Sequence, residues 1–181
     1  MKPKLNLEQL LNEIEPEKSK ICQLVLTDFK DDFRHLPGAK TKHQNWEGGL
    51  RDHIEETMNI ACALFEPLNS RRKLPFTLSE VLFMLFFHDF DKVTRYGHKE
   101  ELPQSQLDHH QLLKITVNTI KNRYGYQFTT EELNVLSYVH GENKDYHPTE
   151  RVMLPLTAFV HCCDIISARI WFDQGKDELT W

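Results

Sequence analysis

Six positions spread over the chain carry side chains that can bind a divalent metal ion. Histidine supplies an imidazole nitrogen and aspartate a carboxylate oxygen, and a mixture of the two suits Mn, Fe, Co, Ni or Zn, with Mg as a further option for the carboxylates. Such an ion activates water for the hydrolysis of a phosphoester. The sequence therefore predicts one or two metal ions, with ligands drawn from His53, His88, Asp89, His109 or His110, His140 and Asp164.

The adjacent pair His88 and Asp89 is the most informative of these positions because it follows an apolar run at 81–87. Burying two strongly solvated groups costs free energy unless a partner compensates them. A bound cation would do so. The alternative is that the pair caps a core helix through hydrogen bonds to the backbone or between the two side chains. The other four positions favour the metal over this alternative.

Length and composition predict one globular domain. The chain has 181 residues, 40% of them hydrophobic, and a net charge of -5, which disfavours non-specific binding to long nucleic acid. The N-terminus lacks an apolar signal segment and no stretch approaches the roughly 18 apolar residues of a membrane span, so we expect a cytosolic protein with no membrane partner. Four cysteines without CxxC spacing are interpreted as reduced core residues, namely Cys22, Cys62, Cys162 and Cys163.

Capping boxes and apolar periodicity indicate the elements that position the ligands. The segments Thr77–Glu80 and Thr129–Glu132 each have the Thr and Glu of a capping box, and Gly141 marks the end of the helix that carries His140. Periodicity places His53, His140 and Asp164 on inward helix faces. We expect helices at about 6–16, 18–33, 48–66, 77–90, 104–123, 129–140 and 154–171.

The predicted fold is an all-α bundle of about six or seven helices, since no convincing strand signal is present. Residues 1–40 are expected to form a helical extension packed on the core, residues 41–172 the metal-binding domain and residues 173–181 a polar tail. A loop is expected from Val93 to Pro103, and loops on a rigid scaffold often carry substrate contacts.

Three segments of the chain are similar to those of a known enzyme family. The segment 43–53 has a His, Gly-Gly-Leu, His pattern, the segment 87–92 reads Phe-His-Asp-Phe-Asp-Lys, and the segment 161–168 contains a closing aspartate. In this order they resemble the HD-domain metal-dependent phosphohydrolase superfamily, in the branch that includes 3'-5' exoribonucleases with an HD domain. The resemblance covers roughly residues 43–170.

The resemblance implies an HD-type helical domain with a particular division of ligands. His53, His88, Asp89 and Asp164 would bind one ion, while His140 and His109 or His110 would reach a second ion that Asp89 bridges. Spacing does not separate His109 from His110, because both border the same apolar stripe, and we favour His109. Two departures from the family stand out: Asp91 occupies a frequent glycine position, and Val139 precedes His140 where a second histidine is common.

Lysine, arginine and histidine side chains near these motifs are the expected contacts to the substrate. Lys92 follows the His-Asp pair by one turn and is predicted to act with Asp89 in catalysis, by holding the non-bridging oxygens of a phosphate. Further substrate-binding candidates are His43, Arg51, Arg95, Lys144 and Arg169.

These observations predict a metal-dependent phosphohydrolase that acts on a nucleotide or a related small phosphorylated substrate. One alternative keeps the metal and changes the substrate to a nucleic-acid 3' end or a cyclic nucleotide. Another is a metal-binding regulatory module without turnover, for which the two departures at positions 91 and 139 are the motivation. The sequence does not specify the base, the number of phosphates, the native metal or the oligomeric state.

Overall fold

The chain folds into packed α-helices, and the all-α prediction is confirmed. The computed structural model describes residues 4–41, 43–96 and 107–176, and these residues contain no strand. The helices are α1 (Leu7–Asn12), α2 (Pro16–Asp28), α3 (Lys30–His35), α4 (Gly49–Arg71), α5 (Leu78–Phe87), α6 (Asp91–Tyr96), α7 (His109–Tyr124), α8 (Thr130–Tyr138) and α9 (Pro155–Ile170), with a short 3-10 turn at Asn143–Asp145.

Helix α5 forms the centre of the bundle. All seven residues from Val81 to Phe87 are buried, which is expected for a helix that is apolar on every side. Helices α4 and α9 pack against α5 and against each other. One hydrophobic cluster includes side chains of these three helices together with Leu10 of α1, Val25 of α2 and Val135 of α8. The N-terminal helices therefore share the core that supports α4 and α5.

Capping boxes start four of the described helices. The Thr77 and Thr129 side chains accept hydrogen bonds from the backbone N–H groups of Glu80 and Glu132, as the sequence predicts. Two further boxes, which the sequence did not indicate, pair Asn6 with Gln9 at the start of α1 and Asp108 with Gln111 at the start of α7. In the second of these boxes, Gln111 N donates to Asp108 Oδ1 at 2.8 Å. This cap begins α7 at His109 instead of near residue 104, and residues 104–106 lie outside the described part of the chain.

Two helix predictions were wrong in the N-terminal half. The single helix expected at 18–33 is divided at Phe29, whose backbone leaves the helical region (φ -110, ψ 28) while its ring packs edge-on against Phe90 at 5.2 Å. Helix α4 continues past its expected end at 66 with Pro67 inside it. The last turn stays closed because Arg72 N donates to Leu68 O at 3.0 Å.

The segment after the His-Asp pair also differs from expectation. Helix α5 ends at Phe87 instead of residue 90, and α6 begins at Asp91, so that Val93–Tyr96 is helical where a loop was predicted. The change follows from burial, because Val93 is an apolar core residue whose N–H donates to Phe90 O at 3.1 Å. The rest of that predicted loop, residues 97–103, is not among the described residues.

All four cysteines are reduced, with no disulfide between them, as predicted. Cys22 and Cys163 are buried and Cys62 is partly buried, but Cys162 is exposed, so its interpretation as a core residue was wrong. Cys162 lies on the solvent side of α9 because the neighbouring Cys163 takes the inward position. Among the described residues no helix combines the length and the apolar character that crossing a membrane requires.

Candidate metal centre

His88 and Asp89 lie in a buried turn directly after α5. His88 is the C-cap residue of this helix, and both residues are almost fully buried, at 4% and 1% exposure. The His88 Nδ1–H group donates to Leu85 O at 2.7 Å. The proton is therefore on Nδ1, and Nε2 presents a lone pair to the interior.

His53 of α4 faces the same point. Its Nε2 lies 3.1 Å from His88 Nε2 and 3.4 Å from Asp89 Oδ2, and the same carboxylate oxygen is 3.5 Å from His88 Nε2. Ligands about 2.0–2.2 Å from an ion are separated by about 3.0–3.5 Å in tetrahedral or octahedral coordination. These three buried residues can hold a metal ion.

Asp164 of α9 approaches the two imidazoles from another helix. Its Oδ1 lies 3.2 Å from His53 Nε2 and 3.9 Å from His88 Nε2, and the residue is 8% exposed. Two nitrogen and two oxygen donors thus come from α4, the α5–α6 turn and α9. This donor set fits Mn, Fe, Co, Ni or Zn.

His140 reaches the outer oxygens of both carboxylates. Its Nδ1 lies 3.3 Å from Asp164 Oδ2 and its Nε2 lies 3.5 Å from Asp89 Oδ1. Asp89 Oδ1 is buried and, within the described part of the chain, accepts no hydrogen bond. A second cation bridged by Asp89 and bound by His140 would satisfy that oxygen.

The segment that carries His140 is fixed to α9. Helix α8 ends at Tyr138, two residues earlier than predicted, and Gly141 follows His140 with a left-handed backbone (φ 108). His161 Nδ1 lies 2.5 Å from Val139 O, a contact that holds the end of α8 against α9. His140 is therefore presented from a turn that α9 supports, and its side chain stays half exposed.

His109 and His110 stand apart from the other predicted ligands. Both are exposed at the start of α7, and His109 Nε2 lies 3.3 Å from Ser137 O. Neither residue belongs to the wall of the cavity that the described residues form beside the site. The structure thus brings together five of the predicted ligands, and a ligand role for His109 or His110 stays a prediction.

Neighbouring cations keep the two carboxylates ionised. Burial alone would raise the pKa of Asp89, but the ammonium of Lys92, 2.5 Å from Asp89 Oδ2, and the ring of His88 hold it well below its ordinary value. For Asp164, the hydrogen bond from His140 and the nearby ring of His53 outweigh burial and lower the pKa. Both aspartates are therefore in the anionic form that metal binding requires.

The histidines differ in their affinity for a proton. Burial lowers the pKa of His88, so its ring is neutral at physiological pH. Burial acts in the same direction on His140, but its hydrogen bond to Asp164 and the nearby negative charge of Asp89 dominate and raise its pKa to about 10. A metal ion at His140 must displace a proton, whereas one at His88 need not.

A cavity of about 330 Å³ opens beside the ligands. Its wall includes His53, Asp89, His140 and Asp164 together with side chains of α6 and of the end of α9. This volume lies at the lower end of the range for small-molecule sites. The site is therefore accessible to a substrate of modest size.

The predicted substrate-binding residues divide into two groups. His43, Lys92 and Arg169 line the cavity. Three others are not among the described residues of its wall: Arg51 forms a two-pronged ion pair with Glu8 at 2.7 and 2.8 Å, Arg95 lies 3.9 Å from Asp91, and Lys144 is exposed in the 3-10 turn.

Three residues behind His53 were not identified from the sequence. Gln44, Glu56 and Ser167 are buried and form hydrogen bonds with one another and with the far side of the His53 ring. The available signal was the position of Glu56, a charged residue one helical turn after His53 in a largely buried helix. Nothing in the sequence marks Gln44.

Comparison of the chain with protein-family models, with curated proteins and with solved structures finds no match. The arrangement of the side chains is thus the basis for assigning a function.

Proposed function

We propose that this protein is a metal-dependent phosphohydrolase of the HD type that cleaves a phosphoester of a nucleotide or a related small substrate. One observation carries the proposal: the Nε2 atoms of His53 and His88 converge with Asp89 Oδ2 and Asp164 Oδ1 at the wall of a cavity. Two buried imidazoles and two buried carboxylates do not contribute to apolar packing, so this group is a candidate functional site.

The cavity beside the ligands favours a catalytic role over a structural one. A closed structural site is usually remote from any cavity, whereas these ligands border one. A divalent ion held there would supply an activated water near neutral pH and positive charge for the phosphate. The neutral imidazoles limit the negative charge that an anionic substrate meets.

The remaining wall residues provide charge and protons. Lys92 maintains the anionic form of Asp89, and Arg169 and His43, which also line the cavity, would contact phosphate oxygens. Burial and the neighbouring Asp89 raise the pKa of Asp91, which also lines the cavity. Asp91 thus keeps its proton to a higher pH than a free aspartate does, and it is the wall residue that we propose as proton donor to the leaving oxygen.

The dimensions and charge of the molecule support a small substrate. The cavity measures about 330 Å³, and the chain carries a net charge of -5. Proteins that track single strands instead combine a long basic groove with stacking aromatic side chains. We therefore place mononucleotides and similar phosphoesters before long nucleic acid.

Metal analysis combined with a phosphate-release screen tests the proposal. Wild type is expected to bind Mn, Fe, Co, Ni or Zn and to release phosphate from at least one nucleotide, and Asp89→Ala is expected to lose both properties. Asp31→Ala, at an exposed aspartate of α3, is the matched control. End-labelled RNA and DNA and cyclic nucleotides belong in the same screen. Metal binding without any turnover would replace the hydrolase with a regulatory module, and absence of metal binding would overturn both.

A further inference from the structure

A buried carboxylate controls the orientation of the hydrogen bonds behind His53. We propose that Glu56 and Gln44 are positioning residues that keep the proton of His53 on Nδ1 and so leave Nε2 free to bind the metal, a role that rests on the metal site proposed above. Glu56 and Gln44 are each 3% exposed, and Ser167, which donates a hydrogen bond to Glu56, is 1% exposed.

Two donors converge on one oxygen of Glu56. Gln44 Nε2 donates to Glu56 Oε2, and Ser167 Oγ donates to the same atom at 2.5 Å. A carboxylate can only accept hydrogen bonds. The orientation of the Gln44 amide and the direction of the Ser167 hydroxyl are therefore both set by Glu56.

The atoms left to face His53 are both acceptors. Gln44 Oε1 lies 2.7 Å from His53 Nδ1, and Ser167 Oγ, whose proton is directed to Glu56, lies 3.1 Å from the same nitrogen. A stable arrangement requires Nδ1 to carry the proton. In the neutral ring Nε2 then has a lone pair, and this is the atom that faces His88, Asp89 and Asp164.

The loop before α4 is built around the backbone of Gln44. This residue has a left-handed conformation (φ 51), which is costly for a side chain of its type. Gln44 O accepts from Gly38 N at 2.8 Å, and a Cβ on Gly49 would lie only 1.9 Å from that oxygen. Backbone strain of this kind persists where the surrounding structure imposes it, often at functional sites.

Exchanging the amide and the carboxylate between positions 44 and 56 distinguishes a positioning role from a packing role. Glu56→Gln and Gln44→Ala are expected to weaken Mn²⁺ binding, measured by titration calorimetry, by roughly 10- to 100-fold. In the double variant Gln44→Glu with Glu56→Gln, a carboxylate accepts directly from His53 Nδ1 while the new amide donates to it. This variant is expected to recover most of the affinity that Glu56→Gln loses.

The matched control is another buried glutamate with satisfied hydrogen bonds. Glu132 is 3% exposed and accepts from Tyr126 and Lys18 far from the ligands. Glu132→Gln is expected to reduce thermal stability and leave the Mn²⁺ affinity unchanged. An affinity of folded Glu56→Gln within twofold of wild type, or a double variant no better than Glu56→Gln, would overturn the proposal.

A measurement on metal-free protein keeps this inference separate from the proposed function. The nitrogen-15 NMR signals of the His53 ring can be identified because they are absent in His53→Gln. In wild type at mildly alkaline pH they are expected to show a protonated Nδ1. In Gln44→Ala the form with the proton on Nε2 should appear, because Asp89 and Asp164 attract it. An unprotonated Nδ1 in wild type refutes the positioning role even if metal binds. Failure of wild type to bind any metal refutes the hydrolase and leaves the NMR result to decide the tautomer.

Discussion

The Nε2 atoms of His53 and His88 lie 3.1 Å apart, and each ring has an acceptor oxygen beside its Nδ1. His88 Nδ1 donates to Leu85 O, and His53 Nδ1 faces Gln44 Oε1. Two lone pairs at this distance repel each other unless a cation lies between them. With Asp89 Oδ2 within 3.5 Å of both nitrogens, these three side chains can hold a shared ion.

Metal binding is expected to stabilise the fold through His88. At a Mn²⁺ concentration one hundred times the dissociation constant, the free energy of unfolding of wild type should rise by about 2.7 kcal/mol. His88→Ala should show no such rise in urea unfolding with and without Mn²⁺. His35→Ala is the control, because His35 is exposed and pairs with Glu47 at 2.5 Å. Equal stabilisation of His88→Ala would show that the ion binds elsewhere.

Lys92→Met is expected to reduce kcat/KM for phosphate release by roughly 100-fold, since it removes a positive charge from the cavity wall. Mn²⁺ binding should persist, because the ammonium is not a ligand. Lys92→Arg, which retains the charge, should keep more activity than Lys92→Met. Calorimetry and phosphate-release kinetics on the same preparations check this. Loss of metal together with activity would instead mean that Lys92 acts only by supporting Asp89.

The metal-free protein is expected to lose stability as pH rises from 6.5 to about 10 because of His140. Its pKa is raised from 6.5 to about 10 in the folded chain, so the stabilisation is complete below pH 6.5 and disappears as the ring loses its proton. Urea unfolding in EDTA across this range should show a smaller decline for His140→Ala than for wild type. Solvent at this half-exposed ring limits the size of the effect. Identical pH profiles of unfolding free energy for the two proteins would contradict the raised pKa of His140.

Gly49→Ala is expected to destabilise the protein by about 3 kcal/mol, because its Cβ would collide with Gln44 O, a backbone atom that cannot move independently. The same change should weaken Mn²⁺ binding by displacing Gln44 from His53. Gly175→Ala, where a Cβ meets no atom within 4 Å, should change the free energy of unfolding by less than about 0.5 kcal/mol. Chemical denaturation of both variants gives the comparison, and a neutral Gly49→Ala would show that the loop readily adjusts.

Sequence periodicity and capping predicted the parts of the fold that depend on neighbouring residues. The starts of α5 and α8 were correct because Thr77 and Thr129 form their caps locally. The division at Phe29 was missed, and the ring of this residue packs against Phe90, sixty-one positions away by their numbers. Local propensity contains no information about such a contact.

The candidate site shows the same division between local and distant information. Residue type and order were enough to select His53, His88, Asp89, His140 and Asp164, since few other groups suit a metal in an apolar interior. Gln44 escaped notice because its role depends on a strained backbone and on Glu56 and Ser167, which belong to different helices. Arg51 was selected by its proximity in sequence to His53, but its side chain points to Glu8.

Helix α9 completes both the ligand group and its support, with Asp164 facing the metal position and Ser167 bonded to Glu56 across 111 positions of sequence. A ribosome releases the N-terminal helices first, and domains generally fold as the chain emerges. A nascent chain that ends before Pro155 therefore has His53, His88 and Asp89 but lacks Asp164 and Ser167. The complete set of four donors forms only after α9 has been synthesised, so an ion bound by all four would link an early helix, α4, to a late one, α9.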